Sequence, residues 1–143
     1  MHLPSTLRRI EYRSFEDCQN LKDISLPEGL TYIGEICFKD SALESITVPA
    51  TLNKVESSAF SGCKRLKRAE FLEGRTAFGT VDADVWNAIF RECGVEELTL
   101  PSTLSYVSLD LFRDCRSLKV VRVKKGGPIV KGLADSRVEV QLI

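Results

Sequence analysis

A chain of 143 residues is long enough for one domain with one sizeable core. Hydrophobic residues make up 43% and charged residues 28%, and 20 Lys plus Arg balance 20 Asp plus Glu, so the mix is that of an ordinary globular domain, without a broad field to draw it to nucleic acid or an anionic membrane. Apolar runs of only a few residues exclude a transmembrane helix, and five cysteines without a CxxC pair, beside the single His2, leave a zinc site without ligand spacing.

The chain opens MHLPSTLRRIEY, with no apolar h-region and no cleavage signal, so the expectation is either an intracellular or organellar setting, which is favoured, or a targeting segment outside this sequence. An internal repeat then governs everything that follows. Phe15, Phe38, Phe60, Phe90 and Phe112 stand at spacings of 23, 22, 30 and 22. Cys18, Cys63, Cys93 and Cys115 each come three residues after one of them, with Ser41 in that place in the second repeat. Ahead of the phenylalanines lie Leu7 and Ile10, Leu30 and Ile33, Leu52 and Val55, Leu104 and Val107. The pentapeptide LPSTL occurs at Leu3–Leu7 and again at Leu100–Leu104.

Behind each phenylalanine comes an apolar trio, in chain order Leu21, Ile24, Leu26; Leu43, Ile46, Val48; Leu66, Ala69, Phe71; Val95, Leu98, Leu100; Leu118, Val121, Val123. The last two members of a trio share one strand face by the period-two rule. Parallel strands are therefore predicted near Leu21–Leu26, Leu43–Val48, Leu66–Phe71, Val95–Leu100 and Leu118–Val123. Pro4, Pro27, Pro49 and Pro101 follow strand positions, where a missing backbone donor helps end the ladder. The FxxC stretch fits a helical or 3₁₀ turn with Phe pointing inward. One unit carries too few apolar side chains for a core of its own; stacked units align them into a continuous interior.

The pattern LPxxLxxIxxxxFxxCxxLxxI resembles the BspA-type leucine-rich repeats, common in bacterial and protist proteins, over residues 3–71 and 89–123. SSAFSGCKRLKRAEF (Ser57–Phe71) and LPEGLTYIGEICF (Leu26–Phe38) carry the resemblance most clearly. It implies an α/β solenoid, a right-handed coil with one parallel strand per repeat of about 23 residues. It also implies service in adhesion or protein interaction, by analogy alone. The whole of 1–143 then reads as a single leucine-rich-repeat domain of five repeats.

The fourth unit is about seven residues too long, and the departure falls in Leu72–Ala88, LEGRTAFGTVDADVWNA. Its second half reads as a short helix capped by Asp82 or Asp84, with Val85–Ile89 and Trp86–Phe90 at i,i+4 spacing. Insertions in solenoids often sit on the binding face, and Trp is enriched at interface hot spots. Arg75, Phe78 and Trp86 are thus candidate contacts; the alternative is that Trp86 fills the space the insertion makes. After the basic turn Lys124–Pro128, Val138, Val140 and Leu142 alternate with polar residues, which predicts a last strand, about 138–143, capping the stack. No comparable cap is legible at the N-terminus.

Chemistry has little support. Aligned cysteines inside a repeat fill a small buried slot as soft apolar side chains, although turns at strand spacing leave inter-turn disulfide geometry open. The single histidine, His2, lies at an end with no Ser–His–Asp set legible around it, no Gly-rich phosphate loop precedes a helix, and Glu96 and Glu97, as strand neighbours, point to opposite faces. No catalytic group, cofactor or metal is expected.

The outer sheet face is more informative. Lys22, Glu44, Lys67, Glu96 and Lys119 alternate in sign along the stack, which reads as a register device. The open surface is expected at Asp23, Ser45, Arg68, Glu97 and Val120, then at Ser25, Thr47, Glu70, Thr99 and Arg122. Mixed charge and small hydroxyls suit contact with another protein or a multiprotein complex, leave a glycan open, and disfavour nucleic acid. The sequence therefore points to a non-catalytic protein-interaction module or structural subunit of an assembly; the alternative is a cell-surface adhesion or glycan-binding fragment.

Overall fold

The computed structural model describes residues 1–74, 77–78, 88–103, 106–107, 112, 114–123, 129–130 and 138–143. These residues trace a parallel β-solenoid with repeats of about 23 residues. Its strands are β1 (Arg9–Ile10), β2 (Tyr32–Ile33), β3 (Ser45–Val48), β4 (Lys54–Val55), β5 (Arg68–Phe71), β6 (Ala77–Phe78), β7 (Glu97–Leu100), β8 (Tyr106–Val107), β9 (Val120–Val123), β10 (Ile129–Val130) and β11 (Glu139–Leu142).

The longest sheet runs β3-β5-β7-β9-β11, with every pair parallel. Its register aligns Ile46, Ala69, Leu98 and Val121 in one inward row and puts Val48 beside Phe71 and Leu100 beside Val123. All eight are buried, and the residues between them face outward, as period-two geometry requires. The strands begin two residues later than the apolar trios suggested. Glu44 shows why: its N–H donates to Lys22 O in the previous turn (2.9 Å), while its carbonyl accepts from Lys67 N in the next (2.8 Å). A strand residue directs both groups to one side, so Glu44 is a corner. Of the segment Leu21–Leu26, only Ser25 is bridged, to His2.

A second sheet, β1-β2-β4-β6, was not foreseen. It aligns Ile10, Ile33, Val55 and Phe78, and β8 pairs with β10 in the same sense. From β2 on, each repeat therefore contributes two parallel strands rather than one among the described residues; the first contributes β1 and the Ser25 bridge. The register also locates the extra length of the fourth unit. Val55 precedes Phe60 by five residues and Phe78 precedes Phe90 by twelve, so the seven added residues fall after Phe78. The short helix expected around Val85 and Trp86 lies outside the described residues.

Around the phenylalanines the chain forms successive turns, and no α-helix occurs among the described residues. Left-handed backbone stands two residues before Phe15, Phe38 and Phe60, at Arg13 (φ 58), Ile36 (φ 59) and Ser58 (φ 57). It recurs two residues after the phenylalanines, at Asp17, Asp40, Gly62, Glu92 and Asp114. Such residues interrupt the run of right-handed φ that a helix needs. The phenylalanine N–H groups of Phe15, Phe38 and Phe60 instead donate to Cys37, Ala59 and Ile89 carbonyls one turn on, at 2.8, 2.8 and 2.9 Å.

Inside these turns the rings form a column. Phe15–Phe38, Phe38–Phe60, Phe60–Phe90 and Phe90–Phe112 have centroids 5.3, 5.3, 5.4 and 6.1 Å apart and stack nearly parallel. Phe38, Phe60, Phe90 and Phe112 are buried, whereas Phe15, in the first turn, is only partly covered. Full burial of such a ring contributes about 1.5–3 kcal/mol. Ridge and sheet rows together make one continuous core along the solenoid axis.

Candidate interaction surface

The cysteine column lies beside the phenylalanine stack. The Cys63 thiol donates to Phe38 O (3.0 Å), Cys93 to Phe60 O (2.7 Å), and Cys115 to Phe90 O. Each thiol thus satisfies a carbonyl of the preceding turn, and the slot is structural. Ser41, which takes the place of cysteine, is also buried and lies 3.5 Å from Cys63 Sγ. Cys37, Cys63 and Cys93 are buried, but Cys18 and Cys115 are only partly so, because end turns leave one side of the slot uncovered. Burial pushes the Cys37 thiol up to about 12, the Cys115 thiol up to about 11, and the Cys93 thiol up as well. Buried protonated thiols are poor nucleophiles and poor metal ligands. Among the described residues no group of three or more His, Cys, Asp or Glu is placed to hold a metal ion.

The outer face of the long sheet has two registered columns. The first runs Ser45, Arg68, Glu97, Val120, Glu139 and the second Thr47, Glu70, Thr99, Arg122, Gln141. Ser25 precedes the second column and is bridged to His2. Asp23 lies beside it, with its carboxylate 3.1 Å from the N-terminal ammonium. Ser45, Thr47, Arg68 and Glu70 are exposed, while Glu97, Thr99 and Arg122 are half-buried.

The charges on this face differ in what they are already tied to. Arg122 donates to Glu97 across to β7 (2.7 Å) and to Gln141 on β11 (3.0 Å), and Gln141 donates in turn to Glu139 (3.1 Å). Beside the strands, Glu96 sits between Lys119 (2.7 Å) and Lys67 (3.1 Å), as alternating charges should. Hydrogen bonds from Lys119 first, and then from Lys67, hold its carboxyl below the usual range. Arg68 and Glu70, on β5 between β3 and β7, make no ion pair or side-chain hydrogen bond among the described residues. A groove of about 270 Å³ opens between the Asp23–Leu26 segment and β3, one strand away from them, lined in part by Asp23, Ser25, Ser45 and Thr47.

The structure thus brings Asp23, Ser25, Ser45, Thr47, Arg68, Glu70, Glu97, Thr99 and Arg122 onto one face. Phe78 is elsewhere: its backbone pairs with Val55 in the second sheet, in the row of Ile10 and Ile33. Arg75 and Trp86 lie outside the described residues. Sequence reasoning missed the outer row of the second sheet, where the Arg9 guanidinium stacks on the Tyr32 ring at 3.8 Å and pairs with Glu11 at 2.7 Å. The signal was a recurring two-residue unit, Arg9-Ile10, Tyr32-Ile33, Lys54-Val55, too short to show alternation.

Among the described residues no helix is long and apolar enough to cross a membrane. No curated protein matches the chain. A solved leucine-rich cell surface protein from Faecalibacterium prausnitzii shares its fold, with a TM-score of 0.53 at 17% identity over 99% of this chain and 40% of that one. A leucine-rich repeat protein from Bacteroides ovatus gives a TM-score of 0.41 at 20% identity, over 99% of this chain and 54% of that one. The chain therefore spans about two fifths and about half of these longer proteins. The family model described as the BspA type leucine rich repeat region matches six copies, over residues 1–119 and 83–131. With that match laid on the registered coils and the phenylalanine column, the chain belongs to the BspA-type leucine-rich-repeat family.

Proposed function

We propose that this single domain is a non-catalytic protein-interaction module, or a structural subunit of a larger assembly, that receives its partner on the outer face of the long sheet. Leucine-rich-repeat proteins commonly bind other proteins. Solenoid stacking makes an extended, stiff surface suited to that work. The observation that carries the reading is the pair Arg68 and Glu70. These opposite charges are exposed and unpaired among the described residues. They are flanked by Ser45 and Thr47 on β3 and by Glu97 and Thr99 on β7. Charges already tied within a sheet gain little from a partner, whereas free ones set specificity and encounter rate.

Affinity capture from the native source tests this reading, with the wild-type chain and an Arg68→Glu/Glu70→Arg variant compared by quantitative mass spectrometry. A partner retained by the wild type and lost from the swapped variant supports the sheet face. Equal retention by both removes it.

A second reading rests on the cell-surface description of the Faecalibacterium protein and on the hydroxyls of Ser25, Ser45, Thr47 and Thr99. In it the same face holds a surface glycan. Binding on a glycan array that Thr47→Val abolishes would favour it.

A further inference from the structure

The turns that follow the phenylalanines differ in length. Two residues, Gln19 and Asn20, separate Cys18 from Leu21, and two, Lys64 and Arg65, separate Cys63 from Leu66. In the turn between them, Ala42 alone separates Ser41 from Leu43. The middle turn is one residue short, so its neighbours stand above it and a notch of about 600 Å³ opens there. Buried Ser41 and Ala42 line it. That volume is in the range of about 300–1,000 Å³ typical of ligand sites.

The walls of the notch are charged in opposite senses. Asp17 and Asp40 belong to one side, and both already have partners: Gln19 donates to Asp17 (2.9 Å), and Lys39 lies 3.4 Å from Asp40. Glu16 is paired with Arg13. Lys64 and Arg65, on the other side, are exposed and form no ion pair among the described residues. They open the most basic stretch of the chain, Lys64-Arg65-Leu66-Lys67-Arg68, whose Lys67 is tied to Glu96. Gln19 is neutral, so Asp17 keeps its charge, and the notch sets the free cations Lys64 and Arg65 against the carboxylate of Asp17 and the Lys39-paired carboxylate of Asp40, in a chain with a net charge of zero.

We propose that this notch is a second interaction site, separate from the sheet face, that takes a short protein segment of mixed charge. A carboxylate of the segment meets Lys64 and Arg65, and a hydrogen-bond donor or ammonium group meets Asp17 and Asp40. Uniform polyanions fit it poorly, because Asp17 and Asp40 repel them across a few ångströms of partly screened space.

The test is titration of the ¹⁵N-labelled full chain with three probes: the peptide acetyl-Glu-Glu-Gly-Lys-Lys-amide, an all-glutamate peptide of equal length, and heparin. The mixed peptide should shift the amides of Gln19, Ala42, Gly62 and Arg65 saturably. The exposed double variant Lys64→Glu/Arg65→Glu should weaken that binding by about tenfold or more, with amides outside the notch unmoved. The variant Asp17→Asn/Asp40→Asn, which keeps side chains tolerant of left-handed backbone, should move the preference toward the all-glutamate peptide. Shifts scattered away from the notch, tighter binding there by heparin or the all-glutamate peptide than by the mixed one, or an affinity unchanged by the Lys64/Arg65 reversal would overturn the proposal.

Discussion

The rings of Phe38 and Phe60 lie 5.3 Å apart with planes 1° from parallel, and the thiol of Cys63, three residues after Phe60, donates to the carbonyl of Phe38. Ring and thiol of one turn thus grip the ring and backbone of the previous turn. Phe60 has a stacked ring on each side, Phe38 and Phe90. Phe60→Ala should cost about 3–5 kcal/mol, the scale for an aromatic removed from a packed core. Solenoid contacts are mostly between neighbours, so hydrogen-exchange protection should fall in the two adjoining turns first. A melting temperature equal to the wild type would contradict the proposed core.

The cysteine slot wants a donor more than it wants sulfur. Cys93→Ser, which imitates Ser41, should change stability by less than about 1 kcal/mol. Cys93→Val removes one of two donors to the Phe60 carbonyl, which keeps the Cys63 N–H (3.3 Å), and should cost more than the serine, about 1 kcal/mol. Denaturant unfolding of the two variants, compared with wild type, separates these outcomes.

Those thiols also give the fold an alkaline limit. Burial raises Cys37 to about 12 and Cys115 to about 11, above a free thiol near 8.5–9. The folded chain then holds protons that the unfolded chain releases. The thiols' contribution is complete below the free-thiol value, and it is lost as pH rises through that value toward about 12. Unfolding free energy measured from pH 7 to 11 should decline above about pH 9. Cys37→Ala should flatten the decline; an unchanged slope in that variant would refute the assignment.

Glu96 should act in the opposite direction. Its carboxyl is held low by Lys119 and Lys67, so its favourable pairing is present above the unfolded carboxylate value and fades as pH falls through the folded one. The group is partly exposed and screened, so Glu96→Gln should lower the melting temperature only slightly, and the difference should vanish in 1 M salt. A large, salt-independent loss would mean that Glu96 does something other than pair with lysines.

Ile36 is a β-branched residue held at φ 59, a conformation that costs an L-residue roughly 1–2 kcal/mol. Ile36→Asn should recover part of that cost, offset by the loss of some apolar burial. A rise in melting temperature checks it. A fall of several degrees would show that packing of Ile36 outweighs its backbone.

Much of the coil was legible because its signals are side-chain rows. The outward and inward alternation of Ser45–Val48 and Arg68–Phe71 is visible in the letters, and so is the phenylalanine column. The second sheet was not, since a two-residue strand such as Tyr32–Ile33 leaves no period to read. Phe and Cys three apart fit either a helical turn or a chain of tight turns. Only the Asp or Gly two residues past Phe, at Asp17, Asp40, Gly62 and Asp114, hinted at left-handed backbone. The register of Phe78 was hidden because Arg75 holds the position where the neighbouring repeats have leucine, until the strands aligned it. On the candidate face, sequence supplied the right columns but not the pairing of Arg122 with Glu97 on the neighbouring strand, which depends on rotamers.

The central claim is that a partner protein docks on the outer face of the long sheet. Site-specific photocrosslinking tests it most directly, with benzoylphenylalanine placed singly at Thr47 and at Glu70 on that face, and at Glu35 and Asn53 away from it, in the native source. All four positions are exposed, so each probe can reach solvent. The account predicts a discrete crosslinked protein adduct from Thr47 and Glu70 that is absent from Glu35 and Asn53. Adducts from Glu35 or Asn53 alone, with none from the sheet face, would contradict it.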